Sequence, residues 1–140
     1  MPAVKATKCE IKIILNSINN FNLNKVARTH HSDWTELNYV IKNLDDTIVG
    51  GILAGIGYWS GLEIRTLWVD EKYRGQGIGT YLLKSVEQEA IVLGAVKSIL
   101  NTYDFQAKDF YQKMGYKVFG ELKDFPNKHS RYYLTKNLLY

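Results

Sequence analysis

Apolar and polar positions alternate with two different periods along the chain, and these periods predict where strands and helices lie. A period of two, or a short apolar run between polar or glycine-containing turns, predicts strands at 9–15, 36–43, 47–59, 62–69, 96–102, 116–122 and 129–138. A spacing of three and four residues, from Ile78 to Leu93, predicts an amphipathic helix that stops at Gly94. A shorter helix is predicted at 106–114, and the Asn-rich region 16–33 is expected to hold one or two short helices.

The order of these elements predicts a mixed α/β (α+β) fold, with a sheet of six to seven strands flanked by helices. An antiparallel meander is followed by helix, strand, helix and two last strands. The chain has 140 residues, is 46% apolar, and contains no repeat or linker, so we expect one domain over 1–140. Glycines 50, 51, 55 and 57 lie inside a predicted strand, where they indicate bulges or close backbone approach.

Charge and composition narrow the function. The net charge is +4, and its excess lies wholly in residues 71–140, which favours an anionic partner near that half. No basic run with interleaved aromatics suggests nucleic acid, and no segment approaches the roughly 20 apolar residues needed to cross a membrane. No cleavable leader is recognised and Cys9 is the one cysteine, so we expect a cytoplasmic protein without disulfides, with Cys9 half-buried in a strand.

Three glycines alternate in "RGQGIG", residues 74–79, immediately before the long helix. The first amides of a helix have no intrahelical partner and lie at the positive end of its dipole, so an anion is stabilised there. Glycine lets phosphate oxygens approach the backbone without meeting a Cβ. The loop therefore predicts a phosphate-binding site.

Two common nucleotide-binding loops do not fit this sequence. A triphosphate-binding loop needs a Lys and then Ser or Thr after its last glycine, whereas Gly79 is followed by Thr80 and Tyr81. A Rossmann loop is G-x-G-x-x-G after a parallel strand, whereas this one is G-x-G-x-G after a meander.

The loop instead resembles the R/Q-x-x-G-x-G/A signature of the GNAT superfamily of acyl-CoA N-acyltransferases. A second segment, "AKDFYQKMGYKVFG" (107–120), resembles the family's FY-x-K-x-G-F/Y pattern, and the predicted element order is the family's order. The resemblance covers roughly residues 36–138. It implies a sheet that is splayed in the middle and acetyl-CoA (coenzyme A) as co-substrate.

The resemblance also implies which residues hold the cofactor. The loop would bind the pyrophosphate, and the preceding strand would hold the pantetheine arm. The implied cofactor-binding residues are Leu67, Trp68, Val69, Arg74, Gly75, Gln76, Gly77, Ile78, Gly79, Thr80 and Asn101. For Asn101 a strand-end cap is an equally good interpretation.

Acyl transfer to an amine needs a neutral amine, a stabilised oxyanion and a proton for the leaving thiolate. The resemblance implies that Tyr111 donates that proton, since a phenol stays protonated at neutral pH. Glu63 stands eleven residues before Arg74, the distance of the catalytic glutamate in histone-acetylating members, and is the candidate base; a water chain is the alternative. The Val69 amide is the implied oxyanion donor.

Other patterns predict less. His30, His31 and His129 have no cysteine or carboxylate cluster to complete a metal site, so no metal is expected. The amine acceptor is open, with a highly cationic one disfavoured because Asp33 is the one acidic residue in 16–33. A homodimer through the C-terminal strand "RYYLTKNLLY" is a hypothesis. The rivals are a non-catalytic acyl-CoA sensor of the same fold and a nucleotide-binding protein of another class.

Overall fold

The computed structural model describes residues 1–139, which form three α-helices and seven strands. The helices are α1 (Lys8–Lys25), α2 (Ile78–Val92) and α3 (Lys108–Lys113). The strands are β1 (Trp34–Glu36), β2 (Tyr39–Lys42), β3 (Ile48–Gly57), β4 (Gly61–Val69), β5 (Lys97–Tyr103), β6 (Lys117–Lys123) and β7 (Ser130–Asn137). A single 3-10 turn, Glu71–Tyr73, leads from β4 toward the glycine loop.

The seven strands form one mixed sheet in the order β1-β3-β4-β5-β7-β6, with β2 also paired to β3. Every pairing is antiparallel except that of β4 with β5, which is parallel. The predicted mixed sheet with flanking helices is thereby confirmed. The meander and the last four elements lie within about two residues of their predicted bounds, because turn residues mark their ends.

The predicted strand at 9–15 is wrong, since these residues belong to α1. The helix begins with a capping box: Thr7 Oγ1 accepts from the Glu10 amide at 3.2 Å, and Glu10 Oε1 accepts from the Thr7 amide at 2.8 Å. The sequence signal is Thr-x-x-Glu at 7–10. One helix then runs to Lys25, in place of short helices in 16–33, and Cys9 is exposed on it instead of half-buried in a strand.

The predicted strand 36–43 is two strands in one register. Glu36 faces Gly55 and Tyr39 faces Ile52, so β1 and β2 continue the same ladder along β3. Between them, Asn38 Oδ1 accepts from the Ala54 amide at 3.1 Å, and a side chain thus replaces a backbone acceptor. Trp34 of β1 covers Gly55, where any Cβ would overlap its indole ring. Gly55 is therefore a site of close approach, as predicted.

The core lies on one face of the sheet, beneath α2. The fully buried side chains are Ile52, Ile56, Leu62, Leu82, Leu83, Val86 and Leu134, with Ser98 among them. The opposite face, called here the outer face, carries Leu53, Glu63, Ile99 and Asn101. Leu53 and Ile99 are 48% and 41% exposed, and no residue of α1 is buried. This face of the sheet is therefore open along much of its length.

A buried polar cluster ties α2 to the far side of the sheet. Tyr116 Oη donates to Glu87 Oε2 at 2.8 Å and contacts Ser98 Oγ at 2.8 Å, while Lys136 Nζ lies 3.0 Å from Glu87 Oε1. Burial, and the nearby Glu87 carboxylate, raise the pKa of Tyr116. Each polar group in this cluster has a partner, which is the condition under which buried charge is tolerated.

Candidate active site

The sheet opens between its two central parallel strands. β4 and β5 pair over three positions, from Gly61 opposite Lys97 to Glu63 opposite Ile99. Just beyond, Leu53 faces Thr66 while Ala54 faces Ile64, so Arg65 is the extra residue of a bulge in β4. The two strands then continue without pairing to each other. The splay that the family resemblance implies is present, and the bulge lies where it starts.

A groove of about 620 Å³ runs from this gap to the start of α2. Most of the predicted site residues line it together. They are Leu67, Trp68, Val69, Arg74, Gly75, Gly77, Ile78, Gly79, Thr80, Asn101 and Tyr111. Gln76 and Glu63 are not among its lining residues. The fold thus brings the glycine loop (74–79) and the segment 107–120, which are some 30 residues apart in the sequence, to the same groove.

The glycine loop presents a row of free backbone donors. Within residues 1–139, no acceptor is found for the amides from Gly75 to Thr80. Gly77 is the N-cap of α2 with φ +83°, and it has no side chain to fill the capping position. Gly75 has φ +78°, and a Cβ built on either glycine meets nothing within 4 Å. The arrangement fits a phosphate group held by main-chain amides at a helix N-terminus.

The third glycine has a different physical role. Gly79 has an ordinary backbone conformation, and a Cβ there would lie 3.6 Å from Phe110 and 3.8 Å from Val69. These are ordinary van der Waals distances, so the packing of α2 on α3 and β4 would admit a methyl group at this position. Gly50 of β3 is packed more tightly, since its Cβ would approach Ile78 to 3.0 Å and the Trp68 carbonyl oxygen to 3.2 Å. These two glycines therefore concern packing around the loop more than contact with an anion.

The backbone of β4 points polar groups into the gap. The Asp70 amide donates to Val49 O at 2.8 Å, so the neighbouring pair of Val69 and Gly50 is of the non-hydrogen-bonded kind. The amides of Val69 and Leu67 consequently face away from β3, toward the space that β5 leaves. This orientation suits hydrogen bonding to an extended ligand between the strands.

The groove is cationic. Arg65 and Arg74 line it, and no carboxylate does so among the residues that the structure describes. Arg74 folds back to donate from Nε to Val69 O at 3.0 Å, which fixes the guanidinium beside the loop. Fixed positive charge at a groove of this kind attracts an anionic ligand.

Tyr111 lies at the wall of the groove formed by α3. Its side chain is 6% exposed and packs edge-to-face against Phe110 and Tyr116, with ring centroids 5.2 and 5.8 Å away. Burial raises the pKa of Tyr111 to about 12, so the phenol keeps its proton at neutral pH. No hydrogen-bond partner for its hydroxyl is found in residues 1–139. The group is thus an ordered donor, free to serve a ligand.

Glu63 and Asn101 both lie on the outer face. Glu63 sits at the last paired position of β4, is 51% exposed, and has Arg65 Nη2 at 3.8 Å. It is therefore near the base of the gap but outside the groove. Asn101 lines the groove, yet its Oδ1 accepts from Arg131 Nε and Nη2 at 3.0 and 2.8 Å. The Asn101 side chain therefore does not cap the end of β5, and its amide oxygen is already engaged by Arg131.

Several lining residues were not predicted from the sequence. They are Ile64, Arg65, Thr66, Tyr73, Thr102, Phe105, Gln106, Ala107 and Phe110. Gln106 organises the turn before α3, since its Oε1 accepts from Thr102 Oγ1 at 3.0 Å and from the Tyr103 amide at 2.9 Å. A polar residue directly after a strand and before a helix was the available signal for Gln106. For Arg65 the signal is tertiary, because it depends on the bulge.

The histidines are engaged elsewhere. His30 is buried and its Nε2 lies 2.8 Å from Thr35 Oγ1, while His129 Nδ1 lies 2.8 Å from Asp104 Oδ1. Over residues 1–139, no group of three or more potential metal-ligating side chains is found. In the same range, none of the helices combines the length and the apolar character that a membrane span requires.

Known proteins resemble this chain in both sequence and architecture. The chain matches the Acetyltransferase (GNAT) family over residues 10–116. It is 33% identical to the acetyltransferase Atu2258 of Agrobacterium fabrum, over 89% of this chain and 88% of that protein. It is 36% identical to the blasticidin-S acetyltransferase of Streptomyces morookaense, over 64% and 67%. The crystal structure of an acetyltransferase from Bacillus cereus superposes with a TM-score of 0.90 at 31% identity, covering 98% of this chain and 97% of that one. The chain therefore belongs to the GNAT family of acetyltransferases.

Proposed function

We propose that this acetyltransferase moves an acetyl group from acetyl-CoA to a primary amine by direct attack, with both substrates bound together. The observation that carries the proposal is one continuous groove, which joins unpartnered amides at the start of α2 to the unpartnered phenol of Tyr111. Such a groove can hold an anion at one end and a reacting thioester at the other. The cofactor would supply the activated acetyl group as that thioester.

The residues take roles according to their positions. The loop from Arg74 to Thr80 would hold the pyrophosphate, with the side chain of Gln76 pointing outside the groove. Leu67, Trp68 and Val69 would hold the pantetheine arm, and the inward-facing amide of Val69 would stabilise the oxyanion. Asn101 would contact the cofactor through its amide nitrogen, because its oxygen serves Arg131.

Proton transfer divides between two groups. Tyr111 would donate to the departing sulfur, since its phenol is protonated and otherwise unpartnered. Glu63 would accept the amine proton through water, because it lies at the edge of the gap and outside the groove. A water chain without Glu63 is the alternative. Cys9 lies exposed on α1, so attack through a cysteinyl intermediate has no support.

A small-molecule amine is the favoured acceptor. The similarity to an acetyltransferase of blasticidin S supports it, as does a groove lined by arginines, which disfavours polycationic protein tails.

The decisive assay incubates the protein with acetyl-CoA and a panel of amines, and follows free thiol with a chromogenic reagent. Amine-dependent thiol release is expected. Saturable binding of coenzyme A without release for any amine would favour the acyl-CoA sensor, and tighter binding of ATP or NAD would favour the other nucleotide-binding class.

We also propose a homodimer, but through a different surface from β7. Both edges of β7 are paired, to β5 and β6, so it offers no free edge in the described sheet. Instead α1 exposes an apolar stripe of Ile11, Ile14 and Ile18, each at least 47% exposed. Beside its C-terminal end lies an apolar groove of the outer face, which includes Trp59, Ile99 and Phe119.

A two-fold pair would bring the two surfaces together. Trp59 lines the groove and donates from Nε1 to Val26 O at 3.3 Å, so helix and groove lie side by side on each copy. A two-fold axis then lets each helix cover the other copy's groove, doubling the buried area. An 18-residue helix is about 27 Å long, enough to approach the roughly 800 Å² per partner of a stable interface.

Sedimentation tests this dimer. The wild-type protein is expected to sediment as a dimer at micromolar concentration, and Ile14→Glu as a monomer, because the charge falls in the stripe. Ile13→Glu is the matched control, since Ile13 is also exposed but points to another side of α1. A wild-type monomer, or equal effects of the two substitutions, would overturn the proposal.

A further inference from the structure

The outer-face side of the gap between β4 and β5, called here the mouth, lies between Arg65 of β4 and the Asn101–Arg131 pair of β5 and β7. Arg65 is the bulged residue of β4 and lines the groove. Arg131 of β7 faces Tyr103 of β5 and binds Asn101, which lines the groove from the other strand. The loop end of the groove suits the cofactor, so this mouth is where the amine would enter.

Arg131 is held rigidly. Its guanidinium lies 5.5 Å from the ring centre of Tyr103 and 5.4 Å from that of Tyr133. Nε and Nη2 both donate to Asn101 Oδ1, at 3.0 and 2.8 Å. Two of its five N–H donors are thus used, and three are left on the two terminal nitrogens. An arginine fixed between aromatic rings is pre-organised to bind a planar anion.

Neither arginine is neutralised by a hydrogen-bonded carboxylate within residues 1–139. Arg65 packs over the Trp34 ring at 4.1 Å and has only the 3.8 Å approach of Glu63. Arg131 has no carboxylate within ion-pair distance. Among the described residues Arg131 is thus a pre-ordered guanidinium group without an acid partner, and such a group is available to bind an anionic ligand.

Two carboxylates near the start of β7 serve groups other than Arg131. Asp104 accepts from the Ser130 amide at 2.8 Å and pairs with His129 at 2.8 Å, and Glu121 accepts from Ser130 Oγ at 2.8 Å. They hold the turn beside β7 and leave Arg131 free. Arg131 therefore contributes a positive charge that no described carboxylate compensates, whereas the charge of Arg65 is partly offset by Glu63 at 3.8 Å.

From this arrangement we propose that the acceptor is an amine that also bears a carboxylate, and that Arg131 binds this carboxylate while Arg65 supports it across the mouth. The inference rests on the proposed function and adds the substrate class. A bidentate arginine–carboxylate pair fixes the acceptor's orientation as well as its affinity. The same charge repels diamines that lack the acid group.

Amines that differ only in the carboxylate test the inference. L-Ornithine is compared with putrescine, and L-lysine with cadaverine, by thiol release from acetyl-CoA. The carboxylated member is expected to have a kcat/KM about 10- to 100-fold higher, the range typical of a charge-assisted hydrogen bond. Equal values, or a preference for the diamine, would overturn the inference while leaving the proposed function intact.

Substitution of Arg131 gives the second readout. Arg131→Gln is expected to raise KM for L-ornithine about tenfold or more with little change in kcat, and to leave putrescine within threefold. Arg131→Lys should restore part of the preference. Arg28→Gln is the control, because it removes the same charge from a surface ion pair with Asp33. An undiminished preference in Arg131→Gln would refute the role of Arg131.

Direct binding separates the two levels of the proposal. Calorimetry of L-ornithine and putrescine with the coenzyme A complex of the protein reports the carboxylate preference without any turnover. No thiol release from any amine would end the proposed function. Loss of discrimination in calorimetry would end the substrate inference by itself.

Discussion

Tyr111→Phe is expected to lower kcat by about 100-fold or more while changing the dissociation constant of coenzyme A less than threefold, since a positioned proton donor contributes about 10²–10⁴ in rate. Tyr111 is buried at the groove wall, and the phenylalanine ring would keep its edge-to-face packing on Phe110 and Tyr116. Steady-state kinetics and coenzyme A titration measure the two quantities separately. Equal losses in turnover and cofactor affinity would contradict the assignment.

Tyr116→Phe is the matched control for this experiment. Its hydroxyl is also buried, but it serves Glu87 and Ser98 outside the groove. Removing it is expected to cost about 1–3 kcal/mol of unfolding free energy, because Glu87 and Ser98 each lose a partner. Below the melting temperature its kcat should stay within a few-fold of the wild type.

The raised pKa of Tyr111 also predicts how activity and stability depend on pH in the alkaline range. Because burial raises the pKa of Tyr111 to about 12, from an ordinary value of 10, its phenol keeps its proton well past neutrality. Deprotonation of Tyr111 therefore removes the donor only as pH approaches 12. Its neutral form is also the one that the fold favours, so its contribution to stability is complete below pH 10 and declines between pH 10 and about 12.

Gly77→Ala is expected to weaken coenzyme A binding by about 10- to 100-fold, as for the loss of one charge-assisted hydrogen bond. Gly77 has φ +83° at the N-cap of α2, and its Cβ position opens into free space beside the unpartnered amides. An added methyl group would occupy that approach and strain the left-handed backbone. Isothermal titration with coenzyme A gives the affinity, and thermal unfolding gives the strain.

Gly94→Ala separates these two effects. Gly94 follows α2 with φ +91° and also has an open Cβ position, but it lies at the other end of the helix. Both substitutions should destabilise the fold by about 1 kcal/mol, the usual cost of a left-handed non-glycine residue. Only Gly77→Ala should change the affinity. A similar loss of affinity in Gly94→Ala would show that the loop effect is merely structural.

Local patterns predicted most of the sheet and the loop. The strands from residue 47 onward have turn residues at their ends, and α2 has an apolar face whose period no strand could satisfy. Residues 9–15 were predicted as a strand because apolar and polar side chains alternate over this short run, although the same residues also fit a helix. The capping box at Thr7 is the signal that favours a helix over a strand, since α1 has no buried face whose period could distinguish them.

Residues of the candidate active site could be predicted from the sequence where they belong to a contiguous motif. Gly75, Gly77 and Tyr111 belong to such motifs, and all three line the groove. Arg131 and Arg65 were not predicted, because one depends on strand pairing and the other on a bulge. The cluster of Glu87, Tyr116 and Lys136 also joins residues of α2, of the connection between α3 and β6, and of β7.

The sequence by itself predicted the elements from residue 47 onward, a phosphate-binding role for the glycine loop, and the family. These properties depend on residues close together in the chain, where sterics, periodicity and caps act. Only the tertiary structure decided at which residue β4 and β5 part, how deeply Tyr111 is buried and hence that its pKa is raised, and that Arg131 is bound to Asn101 with no acid partner among residues 1–139. Burial, strand register and the presence or absence of an ion-pair partner depend on contacts between residues that are far apart in the sequence. A local sequence pattern does not contain this information.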